Sequence, residues 1–138
     1  MQKPPHEVYE AIVDPIKMTQ YFISKSSGRM EEGKVLTWRF PEFDFEFPVK
    51  IGKLTPDEYV SFYWGGEGAE LLVEMKLVPY GDGSTVVYLT ETGKENDEAG
   101  IKWLMDSTEG WTHCLACLKA YLEYGINLRK GGLNYRNP

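Results

Sequence analysis

Three hydrophobic rhythms follow one another along the chain. Val8, Ala11 and Ile12 sit at i, i+3 and i+4, which predicts a short amphipathic helix over residues 6–13. Asp14-Pro15 ends it, because the proline ring disfavours helical geometry at the preceding residue. Proline is tolerated in a first turn, so a second short helix is predicted over residues 15–21. From residue 24 to residue 92 the period becomes two, with Gly, Pro and Asp between runs rich in β-branched and aromatic residues. Strands are predicted over residues 34–40, 45–54, 58–64, 70–78 and 84–92, with a weaker one before Gly33. Leu71, Val73, Met75 and Leu77 alternate with a polar set, as do Val60, Phe62 and Trp64 with Ser61 and Tyr63. That is the signature of an antiparallel sheet with one buried and one wetter face. Residues 79–84, Pro-Tyr-Gly-Asp-Gly-Ser, read as a hairpin connection.

After Gly93 the period turns helical. Asn96 or Asp97 can cap and Gly125 can stop, giving a predicted helix over residues 97–124, about 42 Å long at the standard rise. Its principal apolar stripe is Leu104, Trp111, Leu115, Leu118 and Leu122. A smaller, more polar stripe beside it holds Trp103, Ser107, Gly110, Cys114, Cys117 and Tyr121. Residues 129–138, with two glycines and three basic groups, read as a loose tail. The 138 residues thus form one domain over residues 1–126 and a tail over residues 127–138.

Charge and chemistry narrow the function. Fifteen Lys and Arg against twenty-one Asp and Glu leave a net charge of −6, so no broad basic field exists for nucleic acid or an anionic membrane. No apolar run approaches the roughly 20 residues of a membrane span, and the first residues carry no apolar signal region. The expected setting is cytoplasmic, where the two cysteines stay thiols. His113-Cys114-Leu115-Ala116-Cys117 contains C-x-x-C, but a redox pair sits at a helix N-terminus and this one lies deep within a helix. Zinc would need a further ligand, and the only other histidine is His6. Small core or cavity-lining residues are therefore favoured over metal or redox use, and neither a metal nor a cofactor is expected. No phosphate loop, dinucleotide fingerprint or metalloprotease motif is present, which favours binding over catalysis.

The order of elements is that of the helix-grip fold, and three segments carry a closer likeness. Residues 5–15 (PHEVYEAIVDP), 84–93 (STVVYLTETG) and 110–118 (GWTHCLACL) resemble the family related to the activator of the heat-shock protein 90 ATPase, within the START-like, Bet v 1-like (SRPBCC) superfamily. The likeness spans nearly the whole chain up to Gly125. It implies an α+β fold: a curved antiparallel sheet wrapped on a long C-terminal helix, with two short helices near the N-terminus. Members bind lipids, hormones or polyketides, cyclise them, or assist chaperones, so it says less about function. Members usually begin with a strand, which here is short or missing. The edge of the last predicted strand is then expected to be covered by the tail, by upstream residues or by a second copy of the chain.

Within that fold, alternation points Glu91 inward with Val87 and Leu89, toward the long helix near Trp111 or His113, unless the register slips and frees it to solvent. The aromatic set exceeds what a small core needs and suits a mostly apolar pocket. Trp38, Phe62, Trp64, Met75, Leu89, Glu91, Trp111, Cys114 and Tyr121 are the candidate ligand-binding residues, and the expected partner is a hydrophobic, ring-containing small molecule or lipid. Gly110 suggests close approach or cavity space, and Gly65-Gly66-Glu67-Gly68 a flexible loop at the mouth. Arg39 and Glu46 form a candidate second polar pair. Two further readings stand beside binding: a co-chaperone, and a cyclase, dehydratase or hydrolase with Glu91 as base and His113 or Tyr121 as acid.

Overall fold

The computed structural model describes residues 1–66 and 70–136. Prolines set the first two helices. Pro4 is extended and Pro5 opens α1 (Pro5–Val13), whose inner face buries Val8, Tyr9, Ala11, Ile12 and Val13. Extended Asp14 ends it and caps α2 (Pro15–Met18), its carboxylate accepting from the Ile16 N–H at 2.9 Å. α2 stops three residues before the predicted end, and the turns that follow carry Tyr21, Phe22 and Ile23 inside.

Six strands follow: β1 (Lys25–Ser26), β2 (Val35–Arg39), β3 (Phe47–Thr55), β4 (Tyr59–Trp64), β5 (Leu71–Tyr80) and β6 (Ser84–Thr92). Each pairs antiparallel with the next in one curled sheet. The weak strand expected before Gly33 is the two-residue β1. Leu71, Val73, Met75 and Leu77 are buried as their alternation requires, and Val60 and Phe62 join them from β4. Ser61, between these two, is also buried and donates to the Lys53 carbonyl at 3.0 Å.

The helix α3 (Glu98–Tyr124) crosses this sheet, making the architecture an α+β helix grip. Asp97 caps it through the Gly100 N–H at 2.7 Å, and left-handed Gly125 ends it. Its buried residues are Trp111, Cys114, Cys117 and Leu118, so the buried face draws on the stripe read as smaller and more polar. Leu104 is 57% exposed, with Ile101 and Met105 beside it also exposed. The reason is positional: in its N-terminal half α3 turns Trp103 and Ser107 inward, both half-buried, and leaves Ile101, Leu104 and Met105 on the outer face.

Residues 1–3 do pair, against the expectation that they are too short. Met1 and Thr85 exchange two bonds of 2.8 Å each, and the Thr85 hydroxyl donates to the Lys3 carbonyl. They occupy the β6 edge at Thr85. The tail goes elsewhere, as Arg129 reaches Glu42 in the β2–β3 connection with both side chains 11% exposed. The loose-tail reading therefore fails at Arg129. Arg39 and Glu46 also do not pair with each other: Arg39 binds Asp44, and Glu46 binds Lys25.

A fork of two hydrogen bonds from Arg29 to Glu10, at 2.7 and 2.9 Å, ties α1 to the segment before β2. It holds the Glu10 carboxyl below the usual carboxylate range. A depressed acid stabilises above its unfolded pKa, and that stabilisation is lost as the pH falls through the folded one. Because Arg29 is 43% exposed, the effect is below about 1 kcal/mol. Thermal melts across pH should show Glu10→Gln slightly less stable than the parent at pH 7. The gap should narrow as the pH falls below the usual carboxylate range and Glu10 takes up its proton.

Candidate functional site

The inward positions of β2 and β4 bring Trp38, Phe62 and Trp64 together beneath α3. Trp38 and Phe62 meet at 5.1 Å between ring centroids and Phe62 meets Trp64 at 5.4 Å, both edge-on. Trp64 lies 5.4 Å from Trp111 of α3 at a 32° tilt. Phe22 closes the group against Trp38, Phe40, Trp64 and Trp111. These rings fill the chamber between sheet and helix. What is left is a void of about 10 Å³, among Met18, Tyr21, Phe22, Phe62, Met75, Cys114 and their neighbours, room for about one water.

Glu91 stands at the half-exposed rim. It pairs in register with buried Val73, so it faces inward as the alternation requires. Its Oε2 accepts from the Trp64 indole N–H at 2.7 Å and its Oε1 from the Ser107 hydroxyl at 2.5 Å. One carboxylate thus links β4, β6 and α3. Its helix partner is Ser107 rather than Trp111 or His113. His113 instead lies within 3.6 Å of the Cys117 sulfur, and no hydrogen bond joins Glu91 to His113 or Tyr121.

The other candidates fall into place around this group. Met75 and Cys114 line the small void with Phe62. Leu89, half-buried, packs against the core. Tyr121 stacks on Tyr21 at 6.0 Å, one layer away from the tryptophans. Gly110 is exposed with open space where a side chain would stand, so it marks neither close approach nor a cavity. Of the expected mouth loop, Gly65 and Gly66 are described, while Glu67 and Gly68 lie outside the described residues. Phe22, Tyr21 and Met18 were not singled out by sequence, and Ser107 only as a member of the smaller, more polar stripe of α3. Two of them sit in or beside turns with no periodicity, and only the run of large apolar residues after Pro15 hinted at burial.

Burial pushes the Tyr21 hydroxyl well above its ordinary pKa, and it donates to the Ala11 carbonyl at 2.9 Å. Burial also pushes the Cys114 thiol up to about 12 and raises that of Cys117. Both are free cysteines. Thiolate is the reactive form, so neither should react readily. At pH 8, iodoacetamide should label neither cysteine in the folded protein over minutes and both in denaturant; rapid labelling of Cys114 in the native state would contradict its burial. Among the described residues no group of three His, Cys, Asp or Glu side chains could hold a metal.

The tail borders a second, open cleft of about 650 Å³ lined by Tyr21, Glu42, Asp44, Asn127, Arg129 and Lys130, among others. Tyr21 thereby separates the cleft from the inner void. Arg129 caps the Phe40 ring, its guanidinium carbon 5.4 Å from the centroid, while its Nη2 binds both oxygens of Glu42. Among the described residues, two buried polar side-chain atoms lack a partner, Nε1 of Trp38 and Nε of Arg129.

A family model described as Activator of Hsp90 ATPase homolog 1-like protein matches residues 2–123. None of the functionally curated proteins matches the chain. Among solved structures, the protein SSP2350 from Staphylococcus saprophyticus is 36% identical, with a TM-score of 0.81 over 94% of this chain and 90% of that one. DynU16, a protein in the dynemicin biosynthetic locus, is 26% identical at a TM-score of 0.78, covering 92% of this chain and 46% of that one. The Aha1 dimer from Colwellia psychrerythraea, 20% identical, matches with a TM-score of 0.76 over 91% of this chain and 92% of that one. This last likeness is one of fold.

Proposed function

Because this chain belongs to the Activator of Hsp90 ATPase homolog 1-like family, whose fold typically binds ligands or serves Aha1-like roles, we propose that it binds a hydrophobic, ring-containing small molecule or lipid between the sheet and α3. The observation that carries this reading is the cluster of Trp38, Phe62, Trp64 and Trp111, which ends at a rim where Trp64 is held by Glu91. Met75, Leu89, Cys114 and Tyr121 complete the proposed wall. The chamber is filled by its own rings, so a ligand enters by replacing ring–ring contacts with contacts of its own. Trp64 and Trp111 are the rings that give way, since Trp64 is half-buried and Trp111 belongs to the helix that carries exposed Ile101, Leu104 and Met105 before it. A flat aromatic body reproduces the offset and edge-on contacts that it displaces. The likeness to DynU16, named for a biosynthetic locus, agrees with a small-molecule role.

Tryptophan fluorescence and thermal shift against a panel of lipids, flavonoids and polyketides test the reading. A ligand should change the emission and raise the melting temperature together. An unchanged spectrum and melting temperature across the panel at saturating concentration would overturn it.

A second reading is favoured by the exposed Ile101, Leu104 and Met105, which share a face of α3 and suit a protein partner. With the family name it points to a chaperone, and stimulation of a heat-shock protein 90 type ATPase by the purified chain is the measurement. Unaltered turnover at saturating chain would close it. The Colwellia protein is a dimer, which makes homodimerisation of this chain a further expectation, checked by light scattering. Glu91 is held by Trp64 and Ser107, so no acid–base pair is assigned. No helix among the described residues is long and apolar enough to cross a membrane.

A further inference from the structure

Glu91 is a carboxylate bound into the rim of the aromatic chamber through Trp64, and its bonding is peculiar. Each oxygen takes one neutral donor, the Trp64 indole or the Ser107 hydroxyl, although a carboxylate offers about four acceptor positions. No ion pair reaches it among the described residues; the nearest lysine in sequence on α3, Lys102, is bound to Asp106. Both of its hydrogen-bond donors are therefore neutral, on a side chain that is half-buried.

Trp64 joins this carboxylate to the interior. Its ring touches Phe22, Trp38, Phe40, Phe47, Phe62 and Trp111, so it cannot move without reopening the chamber. When it swings aside to admit a ligand, its N–H leaves Glu91. A ligand O–H or N–H arriving at the same oxygen restores what was lost. A ligand with no donor leaves a half-buried carboxylate short of one bond, and a ligand carboxylate sets two anions against each other.

Resting on the chamber reading above, we infer that Glu91 is a specificity-determining residue: it selects ring ligands that carry a hydrogen-bond donor such as a phenolic hydroxyl, and it rejects ring carboxylates. The donor exchanges with Trp64 on Glu91, while Ser107 keeps the other oxygen in place. Recognition is by exchange, so the donor must lie at the edge of the ring system that displaces Trp64.

Three probes of nearly equal ring size separate the outcomes: 2-naphthol, 2-methylnaphthalene and 2-naphthoate, measured by equilibrium dialysis against the full chain at pH 7. The expected order is naphthol tightest, methylnaphthalene about tenfold weaker, and naphthoate weakest. Glu91→Gln keeps an oxygen for the Trp64 N–H while removing the charge. It should bring naphthoate up toward methylnaphthalene and shrink the advantage of naphthol. A gain in naphthoate binding cannot come from damage to the fold, so it reports the charge itself. Equal binding of naphthol and methylnaphthalene, with no change in Glu91→Gln, would overturn the inference and leave the chamber reading standing. Binding of none of the three would remove the chamber reading, and this inference with it.

Discussion

Phe62→Ala should lower the unfolding free energy by about 3–5 kcal/mol. Phe62 is wholly buried, sits between Trp38 and Trp64, and lines the small void with Met18, Met75 and Cys114. Its strand is the middle of three, paired to Ile51 on one side and Val73 on the other, so the backbone cannot collapse inward to refill the space. The transfer cost of a phenyl ring and the cost of the cavity therefore add. A domain of this size has about 5–15 kcal/mol in all, so the melting temperature should fall by roughly 10 °C or more. Exposed Tyr88, on β6, is the control, and its truncation should change stability by no more than about 0.5 kcal/mol. The new cavity would adjoin the existing void and be lined by apolar groups, so benzene should bind it and restore part of the loss. A loss below about 1 kcal/mol would mean that the rings repack freely. Phe62 would then be a movable wall rather than the fixed floor on which Trp64 turns.

The readable parts of this chain are those where a period reports a face. β5 shows it most clearly: Leu71, Val73, Met75 and Leu77 had to share a side, and with β6 in register that side also receives Leu89 and Glu91. The ends of α3 were equally legible, since Asp97 and Gly125 are local signals satisfied by local hydrogen bonds. The core face of α3 was not. Periodicity reports which residues avoid water, and Leu104 belongs to such a stripe, but it cannot say whether anything lies opposite. The candidate site divides the same way. Phe62 and Trp64 followed from alternation on their strand and Trp38 from the surplus of aromatic residues, while Phe22 lies in a turn that no period marks. Alternation turned Glu91 inward, but its partners are 27 and 16 residues away in sequence, and their meeting depends on the curl of the sheet and the tilt of the helix. The Arg129–Glu42 pair spans 87 residues, and nothing near either residue announces it.

Two glycine substitutions should move stability in opposite directions, and the difference reports how Glu91 is held. Gly93 follows β6 and turns the chain toward α3 at φ +127°, a conformation that other residues rarely adopt. A β-carbon there would also lie 2.8 Å from the Glu70 carbonyl oxygen and 3.2 Å from a Leu71 methyl. Gly93→Ala must shift backbone, at about 1–3 kcal/mol for the strained dihedral before the overlap is relieved. Gly110, in the middle of α3, meets nothing within 4 Å, so alanine gains helix propensity there and should add up to about 1 kcal/mol. Denaturant titrations of the two variants should therefore bracket the parent. Gly93 lies two residues beyond Glu91, and the chain between Glu91 and Ser107 passes through it. A shift there moves the end of β6 relative to the helix and should lengthen the bonds that hold the Glu91 carboxylate. Trp64 emission should change in Gly93→Ala and stay unaltered in Gly110→Ala, because Gly110 faces open space. If Gly93→Ala loses stability while Trp64 emission is unchanged, the link from Trp64 through Glu91 to Ser107 does not depend on this turn, and the rim is positioned by the helix alone.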